Sequence, residues 1–240
     1  LAASLVPTLL WAKLNNRYIL LALVVTAWMG AIGFLDDYLK MRQKQQGLKN
    51  EGLVERYKLV GQVSIGLFLG WYLWQHPLST LPGASTTLPF YKYVLIVPAT
   101  ASLGILYVLF TTFILTGTSN AVNLTDGLDG LASGLTAIAS FTFAVFAYVI
   151  GNFRTADYLQ VFYMRGAGEL TVFCLALAGA CIGFLWYNTH PAEVFMGDTG
   201  SMAIGGALGG FAIMSQSELL LIVIGGIFVI EAVSVILQVV

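Results

Sequence analysis

The sequence is poor in charge and in cysteine. Only 10% of its 240 residues are charged and the net charge is −1, whereas soluble domains carry about 25% charged residues. Without a basic surplus, binding to nucleic acid has no electrostatic support. The two cysteines, Cys174 and Cys181, lie in one apolar run, so we expect packing residues and no disulfide framework.

Apolar residues make up 58% of the chain and the mean hydropathy is +0.84. This composition predicts an all-α, polytopic transmembrane helical bundle, with about seven full spans of roughly 20 residues each. A shorter run at residues 1–11 would be the tail of an earlier span. The predicted full spans are Tyr18–Leu35, Leu59–Trp74, Tyr93–Leu115, Leu131–Ile150, Leu170–Tyr187, Ser201–Met214 and Leu219–Val240.

Both ends of the chain fall within apolar sequence, at Leu1 and Val240. We therefore expect residues 1–240 to form a single integral-membrane domain that is cut at both ends. Within it, four glycines repeat as small-xxx-small pairs, which predicts close helix packing. These are Gly205, Gly206, Gly209 and Gly210.

Basic residues set the expected orientation. The loop 36–58 holds six of the 11 basic residues, so the positive-inside rule places it in the cytoplasm. Alternation then puts 116–130 and 188–200 on the same side and the irregular loop 77–89 outside. The two later inner loops contain carboxylates but no Lys or Arg, and such charges need a partner at the membrane edge. A divalent cation and the first loop are the candidates.

The first polar motif is Phe34–Lys40, which contains Asp36 and Asp37. On a continuing helix Lys40 shares a face with both carboxylates. The group can bind a metal or a phosphate, although a solvated helix end is an equal alternative.

The second motif, Asn120–Gly130, combines two Asn, two Asp and two Gly between spans. Glycine allows close backbone approach, and oxygen ligands suit Mg²⁺ with a substrate phosphate. Its alternative is a turn in which Asp126 or Asp129 caps the next helix.

The third motif is Asn188–Ser201. Phe195 could stack on a base or be an interfacial aromatic, and Asp198 could bind a ligand or merely cap a helix. His190 is a poor catalytic candidate. Outside the three motifs, Glu231 is a candidate because it lies within a span.

Carboxylates, lysines, amides and an aromatic at one membrane face favour Mg²⁺-dependent phosphoryl transfer between a soluble phosphorylated compound and a lipid. An ion-coupled transporter is the rival from another class, but its acids would lie near mid-membrane. A structural membrane subunit would not need this arrangement.

Three stretches, Phe34–Lys40, Asn120–Ala132 and Asn188–Gly206, resemble the signatures of the polyprenyl-phosphate N-acetylhexosamine-1-phosphate transferases. The residues of the second stretch, of 195–198 and of Ser234–Val239 are most similar to those of the branch that transfers phospho-MurNAc-pentapeptide. The resemblance implies a multi-pass enzyme of the bacterial inner membrane, active at the cytoplasmic face in peptidoglycan synthesis. It implies Mg²⁺ as cofactor, UDP-MurNAc-pentapeptide and undecaprenyl phosphate as substrates, and lipid I and UMP as products.

The resemblance also implies roles for individual residues. Asp198 would bind the metal, and Asp36 and Asp37 would be catalytic beside the phosphates, with Asp37 favoured as general base. Ten further residues would bind substrate, with Phe195 stacking on uracil. They are Lys40, Lys58, Asn123, Asp126, Gly127, Leu128, Asp129, Asn188, Phe195 and Gln238.

Some family features fall outside this sequence. A His-rich loop is expected soon after Gln238, and an upstream Thr/Pro/Gly-rich motif is expected before Leu1. Sister enzymes that transfer GlcNAc-1-phosphate share the metal and lipid machinery and remain the nearest alternative. Family members of this type are often dimers. Because a phosphate monoester is mostly dianionic at pH 7, we favour direct attack by the lipid phosphate over a phospho-enzyme.

Overall fold

The computed structural model of the chain describes residues 1–47, 52–78, 81, 85–88, 95–96 and 101–239. Its regular structure is helical apart from one two-stranded sheet, which confirms the all-α class. The elements are α1 (Ala2–Trp11), α2 (Arg17–Gln45), α3 (Glu55–Gln75), β1 (Thr86–Thr87), β2 (Leu95–Ile96), α4 (Ala101–Thr125), α5 (Leu131–Gly151), α6 (Phe153–Leu159), a 3-10 turn (Ala167–Glu169), α7 (Leu170–Asn188), α8 (Gly197–Met214), α9 (Glu218–Ile224) and α10 (Gly226–Val239).

Four segments are long and apolar enough to cross a membrane: Arg17–Gln45, Gly104–Thr125, Leu131–Gly151 and Ala167–Asn188. Helices α9 and α10 provide a fifth candidate, although they are bent by 76° at Gly225. The expectation of about seven spans is therefore not confirmed for the described residues. Two helices account for the difference, because α3 begins with charged residues and α8 is rich in glycine, which lowers their hydropathy.

The helix boundaries also differ from the predicted ones. Helix α2 continues ten residues beyond Leu35, and α4 continues ten residues beyond Leu115. As a result, much of the first two motifs is helical and not loop. The predicted span end at Val240 and the predicted span start at Tyr93 lie outside the described residues, as do Lys49 and Lys92.

Helix α8 is the central element and packs mainly against α2 and α4. Every residue from Ser201 to Met214 is buried. A Cβ atom on Gly205 would lie 2.5 Å from the Cα of Ser119 in α4, and one on Gly206 would lie 2.6 Å from the Cγ of Met29 in α2. The prediction of close packing at these glycines is confirmed. Cys174 and Cys181 are likewise buried and free.

At one end of the bundle, β1 and β2 form an antiparallel pair, and β1 lies within the loop 77–89 that was predicted to be irregular. The backbone N–H and the hydroxyl of Thr87 both donate to the carbonyl of Gln216, at 2.7 Å each. Beside them the buried carboxylate of Glu218 accepts hydrogen bonds from Thr86 at 2.6 Å and from Tyr107 at 3.3 Å. These contacts attach the strand pair to the turn between α8 and α9.

Candidate active site

Three carboxylates meet where the cytoplasm-facing end was predicted. Asp36 and Asp37 on α2 and Asp198 in the first turn of α8 each offer one oxygen, and these oxygens lie within 4.8 Å of one another. The approach of the two helices depends on Gly33, because a Cβ there would lie 2.2 Å from the carbonyl oxygen of Asp198. The sequence grouped these residues into separate motifs, and the fold brings them together.

Two lysines join the carboxylates, as expected. Lys40 Nζ lies 2.5 Å from Asp36 Oδ2 and 3.0 Å from Asp198 Oδ2. Lys58 Nζ lies 3.0 Å and 2.6 Å from the same two oxygens. The side chain of Asp36 is buried, and its other oxygen accepts a hydrogen bond from the backbone N–H of Leu53 at 2.7 Å. The two ammonium groups thus neutralise two carboxylates at the edge of the apolar bundle.

The side chain of Asp198 is held from both sides. While the lysines contact Oδ2, Asn123 Nδ2 donates to Oδ1 at 2.9 Å and also to Ser201 Oγ at 2.8 Å. Partial burial alone would raise the pKa of Asp198, but its hydrogen bonds with Lys58, Asn123 and Lys40 hold that pKa below the usual range. Asp198 is therefore an anion fixed in one orientation.

The carboxylate of Asp37 caps the N-terminus of α8. It accepts hydrogen bonds from the backbone N–H of Asp198 at 3.2 Å and from the N–H and hydroxyl of Thr199 at 2.9 and 2.6 Å. A negative charge at this position is favoured by the helix dipole. All three donors belong to the first turn of α8, so the Asp37 carboxylate holds the start of that helix in place. The general-base role that the resemblance implies for Asp37 stays a prediction, and Asp198 is capped and is not itself the cap.

The three carboxylates have the chemistry of a divalent-cation site. Magnesium prefers a few carboxylate oxygens together with water and substrate phosphate, and three convergent carboxylates beside an open face supply the first of these. Asp198, Asp36 and Asp37 are the residues that would hold such an ion. In the present arrangement both lysines contact Oδ2 of Asp36 and Oδ2 of Asp198.

The second and third motifs are joined by hydrogen bonds. Asn188 is buried, and its Oδ1 accepts from Ser133 Oγ at 2.9 Å and from the N–H of Gly130 at 3.2 Å. Asp129 Oδ2 accepts from the N–H of Ala192 and lies 3.1 Å from the ring of exposed His190. Neither Asp129 nor Asp126 caps α5, because that helix begins after Gly130 in a left-handed conformation with no side-chain cap. Asn188 and Asp129 thus connect the second motif to the third through hydrogen bonds.

Other predicted ligands lie in the second and third motifs and are partly or largely open to solvent. Phe195 is 73% exposed and Leu128 is 66% exposed, and Gly127 is also exposed. Asp126 is half-buried, and burial together with the charges of Asp198 and Asp37 raises its pKa to about 6. The exposed ring of Phe195 and the carboxyl group of Asp126 are therefore both at least partly accessible to a ligand.

Two candidates are not brought to the cluster. The amide of Gln238, on exposed α10, donates to Ser234 one turn earlier at 3.3 Å. Glu231 lies half-buried on the same helix. Within the described part of the chain, no hydrogen bond or ion pair joins either residue to the carboxylate cluster. The bend at Gly225 explains the difference, because it turns α10 away from the straight path of a single span.

Sequence reasoning missed several residues of the site. Thr199 and Ser201 stand within the third motif, and the helical spacing from Asp198 to Ser201 was the available signal. A reciprocal amide pair between Gln62 and Asn120, one turn from the cluster, was also missed. Its signal was a lone glutamine in an apolar run, four residues after Lys58.

Comparison with known proteins identifies the family. A model described as glycosyl transferase family 4 matches residues 19–216, which is most of the chain. The chain belongs to this family. The match contains all three carboxylates of the cluster and both lysines, so the site described above lies within the part that defines glycosyl transferase family 4.

Individual relatives narrow the resemblance. The chain is 69% identical over 238 residues to the phospho-N-acetylmuramoyl-pentapeptide-transferase of Gemmatimonas aurantiaca, which is 99% of the chain and 63% of that relative. It is 50% identical to the relative of that name in Chloroherpeton thalassium, covering 97% of the chain and 61% of the relative. For Geobacter sp. strain M21 the values are 49%, 100% and 63%. The predicted resemblance is confirmed, and the chain spans less than two thirds of the length of these relatives.

Proposed function

We propose that this glycosyl transferase family 4 protein transfers phospho-MurNAc-pentapeptide from UDP-MurNAc-pentapeptide to undecaprenyl phosphate, giving lipid I and UMP. The observation that carries the proposal is the convergence of Asp36, Asp37 and Asp198 with Lys40 and Lys58. The name shared by the relatives, phospho-N-acetylmuramoyl-pentapeptide-transferase, indicates the substrate class. Both supports come from independent features, namely side-chain geometry and sequence similarity.

The reaction exchanges one phosphoanhydride for another. An oxygen of undecaprenyl phosphate forms a bond to the phosphorus that carries the sugar, and the bond from that phosphorus to the UMP oxygen breaks. The electron pair of the broken bond leaves on UMP. Since the attacking phosphate is mostly dianionic at pH 7, no proton has to be removed, and direct attack needs no general base.

Charge stabilisation is the main task of the protein in such a transfer. Lys40 and Lys58 lie side by side and would offset the charge of the pyrophosphate. We propose Mg²⁺ as cofactor, with Asp198 as its principal ligand and Asp36 and Asp37 beside it. The ion supplies further neutralisation of the phosphate oxygens when it is bound. Asn123 orients the Asp198 carboxylate through its hydrogen bond to Oδ1.

The uridine end of the donor would bind between the second and third motifs. Exposed Phe195 presents a face on which uracil can stack, and stacking of this kind contributes about 1–3 kcal/mol. Asp126 to Asp129 lie on the neighbouring loop, which Asn188 and Asp129 hold against the third motif. Donor nucleotide and metal would then share one cleft.

The location we propose is the bacterial inner membrane, with the cluster facing the cytoplasm. The stretch from Asp36 to Lys58 carries six of the 11 basic residues, Lys40 and Lys58 of the cluster among them, and the positive-inside rule associates such a stretch with the cytoplasmic face. A soluble nucleotide-sugar could reach the site from that side, and a lipid phosphate could reach it from the membrane.

The deciding experiment measures UMP release in native membranes. Membranes containing the protein receive undecaprenyl phosphate and either UDP-MurNAc-pentapeptide or UDP-GlcNAc, with and without Mg²⁺. We expect Mg²⁺-dependent release from the MurNAc donor, abolished in Asp198→Asn and retained in Asp157→Asn, which neutralises an exposed carboxylate on α6. Release from UDP-GlcNAc alone would instead assign the protein to the sister reaction, and release from neither would favour an ion-coupled transporter.

A further inference from the structure

A pair of amides links α3 to α4 directly beneath the cluster. Gln62 is only 2% exposed although it lies within an apolar helix. Its Nε2 donates to Asn120 Oδ1 at 3.2 Å, and Asn120 Nδ2 donates back to Gln62 Oε1 at 2.9 Å. A buried amide is costly unless it is hydrogen-bonded, and this reciprocal pair satisfies the donor and the acceptor of Gln62 together.

Each amide stands about one helical turn from a residue that contacts Asp198. Gln62 follows Lys58 by four residues on α3, and Asn120 precedes Asn123 by three on α4. Residues at these spacings share a helix face. Lys58 Nζ reaches Asp198 Oδ2 at 2.6 Å, while Asn123 Nδ2 reaches Oδ1 at 2.9 Å. The amide pair therefore lies under both groups that hold the two oxygens of Asp198.

The remainder of the interface between α3 and α4 is less directional. A Cβ on Gly66 would lie 2.9 Å from Thr112, and one on Gly70 would lie 2.2 Å from the hydroxyl of Thr111. Such contacts of small residues let the two backbones approach closely, but they do not select one axial register as a reciprocal hydrogen bond does. A shift of one residue along a helix is about 1.5 Å with a rotation of about 100°.

We infer that Gln62 and Asn120 are positioning residues that set the register of α3 against α4, so that Lys58 and Asn123 hold Asp198 from opposite sides. The inference rests on the proposed transferase function for its kinetic consequence. Misplacement of a catalytic group by about 1 Å can lower a rate by about a hundredfold. The pair therefore acts on the rate of transfer. It does not act on binding of the nucleotide, because other residues bind the nucleotide.

The test uses the protein in native membranes with the variants Gln62→Leu, Asn120→Leu and the exchanged double variant Gln62→Asn/Asn120→Gln. We expect kcat for UMP release to fall by about 10- to 100-fold in each single variant, with KM for the UDP-linked donor changed less than threefold. The exchanged pair, which can still form an amide bridge, should recover to within about fivefold of the wild type. Thr112→Val is the matched control, because it removes a local hydrogen bond to Val108 at the same interface.

A second measurement does not depend on turnover. The extent of labelling by an amine-reactive reagent is read by mass spectrometry at Lys58 on α3 and at Lys40 on α2. Loss of register should raise labelling of Lys58 at least threefold while Lys40 stays unchanged, and the exchanged pair should reverse this. General loosening would raise both lysines together.

The outcomes separate the two proposals. If the wild type releases no UMP but the selective Lys58 labelling is seen, the positioning role stands and the proposed function fails. If the wild type is active and the single variants keep both wild-type kcat and wild-type labelling, the positioning role is overturned and the function stands. Equal labelling of both lysines in the single variants would also overturn it.

Discussion

The carboxylate of Asp37 on α2 lies over the first turn of α8, where its Oδ2 accepts hydrogen bonds from both the N–H and the hydroxyl of Thr199. The contact joins residues 162 positions apart in the sequence. It fixes the start of the helix that carries Asp198. Several properties of the site depend on it and on the packing beside it.

Thr199→Val should lower kcat roughly three- to tenfold with little change in the KM of the nucleotide donor. The substitution removes the 2.6 Å hydroxyl donor but leaves the backbone N–H in place, and a hydrogen bond to a charged group contributes about 1.5–3 kcal/mol. Steady-state kinetics measure the effect. Thr199→Ser should restore the rate, and Thr136→Val, which removes only a local bond on α5, should not lower it.

Lys58→Gln should tighten binding of a divalent cation in the absence of substrate, by about tenfold. Its ammonium contacts Oδ2 of Asp36 and of Asp198, two carboxylates that would also bind the cation. A tenfold change in affinity corresponds to about 1.4 kcal/mol. Titration with Mn²⁺ followed by electron paramagnetic resonance gives the affinity. Lys44→Gln removes the same charge from the exposed end of α2 and should have a much smaller effect; equal changes would show long-range charge and not competition.

Asp126→Asn should stabilise the metal-free protein at pH 7.5 but not at pH 4. The pKa of Asp126 is raised to about 6, by burial first and then by the charges of Asp198 and Asp37. Near pH 4 and below, the carboxyl is largely protonated in the folded protein, so its charge has little cost there. As the pH rises toward 6, the Asp126 carboxyl ionises in the unfolded chain before it does so in the folded protein. The free energy of unfolding therefore falls, by about 1 kcal/mol after allowance for solvent screening.

Thermal unfolding in detergent with a chelator measures this difference at both pH values. Asp157→Asn, on exposed α6, is the control and should leave the midpoint unchanged at either pH. A stabilisation by Asp126→Asn that is the same at pH 4 and pH 7.5 would contradict the explanation by charge.

Phe195→Leu should raise the KM for the UDP-linked donor about tenfold and change kcat by less than threefold. The ring is 73% exposed, so its removal costs little packing, whereas loss of base stacking costs about 1–3 kcal/mol. Phe195→Tyr should bind the donor normally. Trp186→Leu removes an aromatic ring that is 84% exposed on α7, and a rise in KM there as large as that of Phe195→Leu would argue against stacking.

Gly33→Ala should destabilise the protein by about 1–3 kcal/mol and abolish most transfer. The added methyl group would lie 2.2 Å from the carbonyl oxygen of Asp198, so α2 and α8 must separate, and overpacking has a cost of this size. Unfolding midpoints and UMP release are both measured. Gly117→Ala adds a methyl group on α4 with no atom within 4 Å and should leave both unchanged.

The chemistry of the site was predictable from sequence because its residues stand at helical spacings within short motifs. The spacing of four between Asp36 and Lys40 correctly predicted their ion pair. The capping of α8 by Asp37 could not be foreseen, because it depends on how two distant helices meet. The burial of Asn188 could not be predicted from its motif either, because its partners lie far away in the sequence. Gly130 ends the second motif, and Ser133 lies on α5.

The expected number of membrane spans, about seven, exceeds the four or five apolar segments among the described residues, and the reason is physical. Hydropathy scales measure the transfer of side chains from water to an apolar phase, whereas α8 is surrounded by protein and uses glycine to admit its neighbours. The last predicted span remains a candidate, but an apolar run contains no signal of the 76° bend between α9 and α10. Sequence patterns identify apolar helices reliably and their paths poorly.

Helix α8 is about 27 Å long for its 18 residues, and it is fastened at both ends. Asp37 accepts hydrogen bonds from the first turn of α8. Thr87 of β1 donates to the carbonyl of Gln216 just beyond the last turn of α8. A helix anchored in this way cannot slide along its axis or rotate about it without breaking hydrogen bonds at both of its ends. Asp198 is thus held at a fixed position relative to α2 and to the strand residue Thr87.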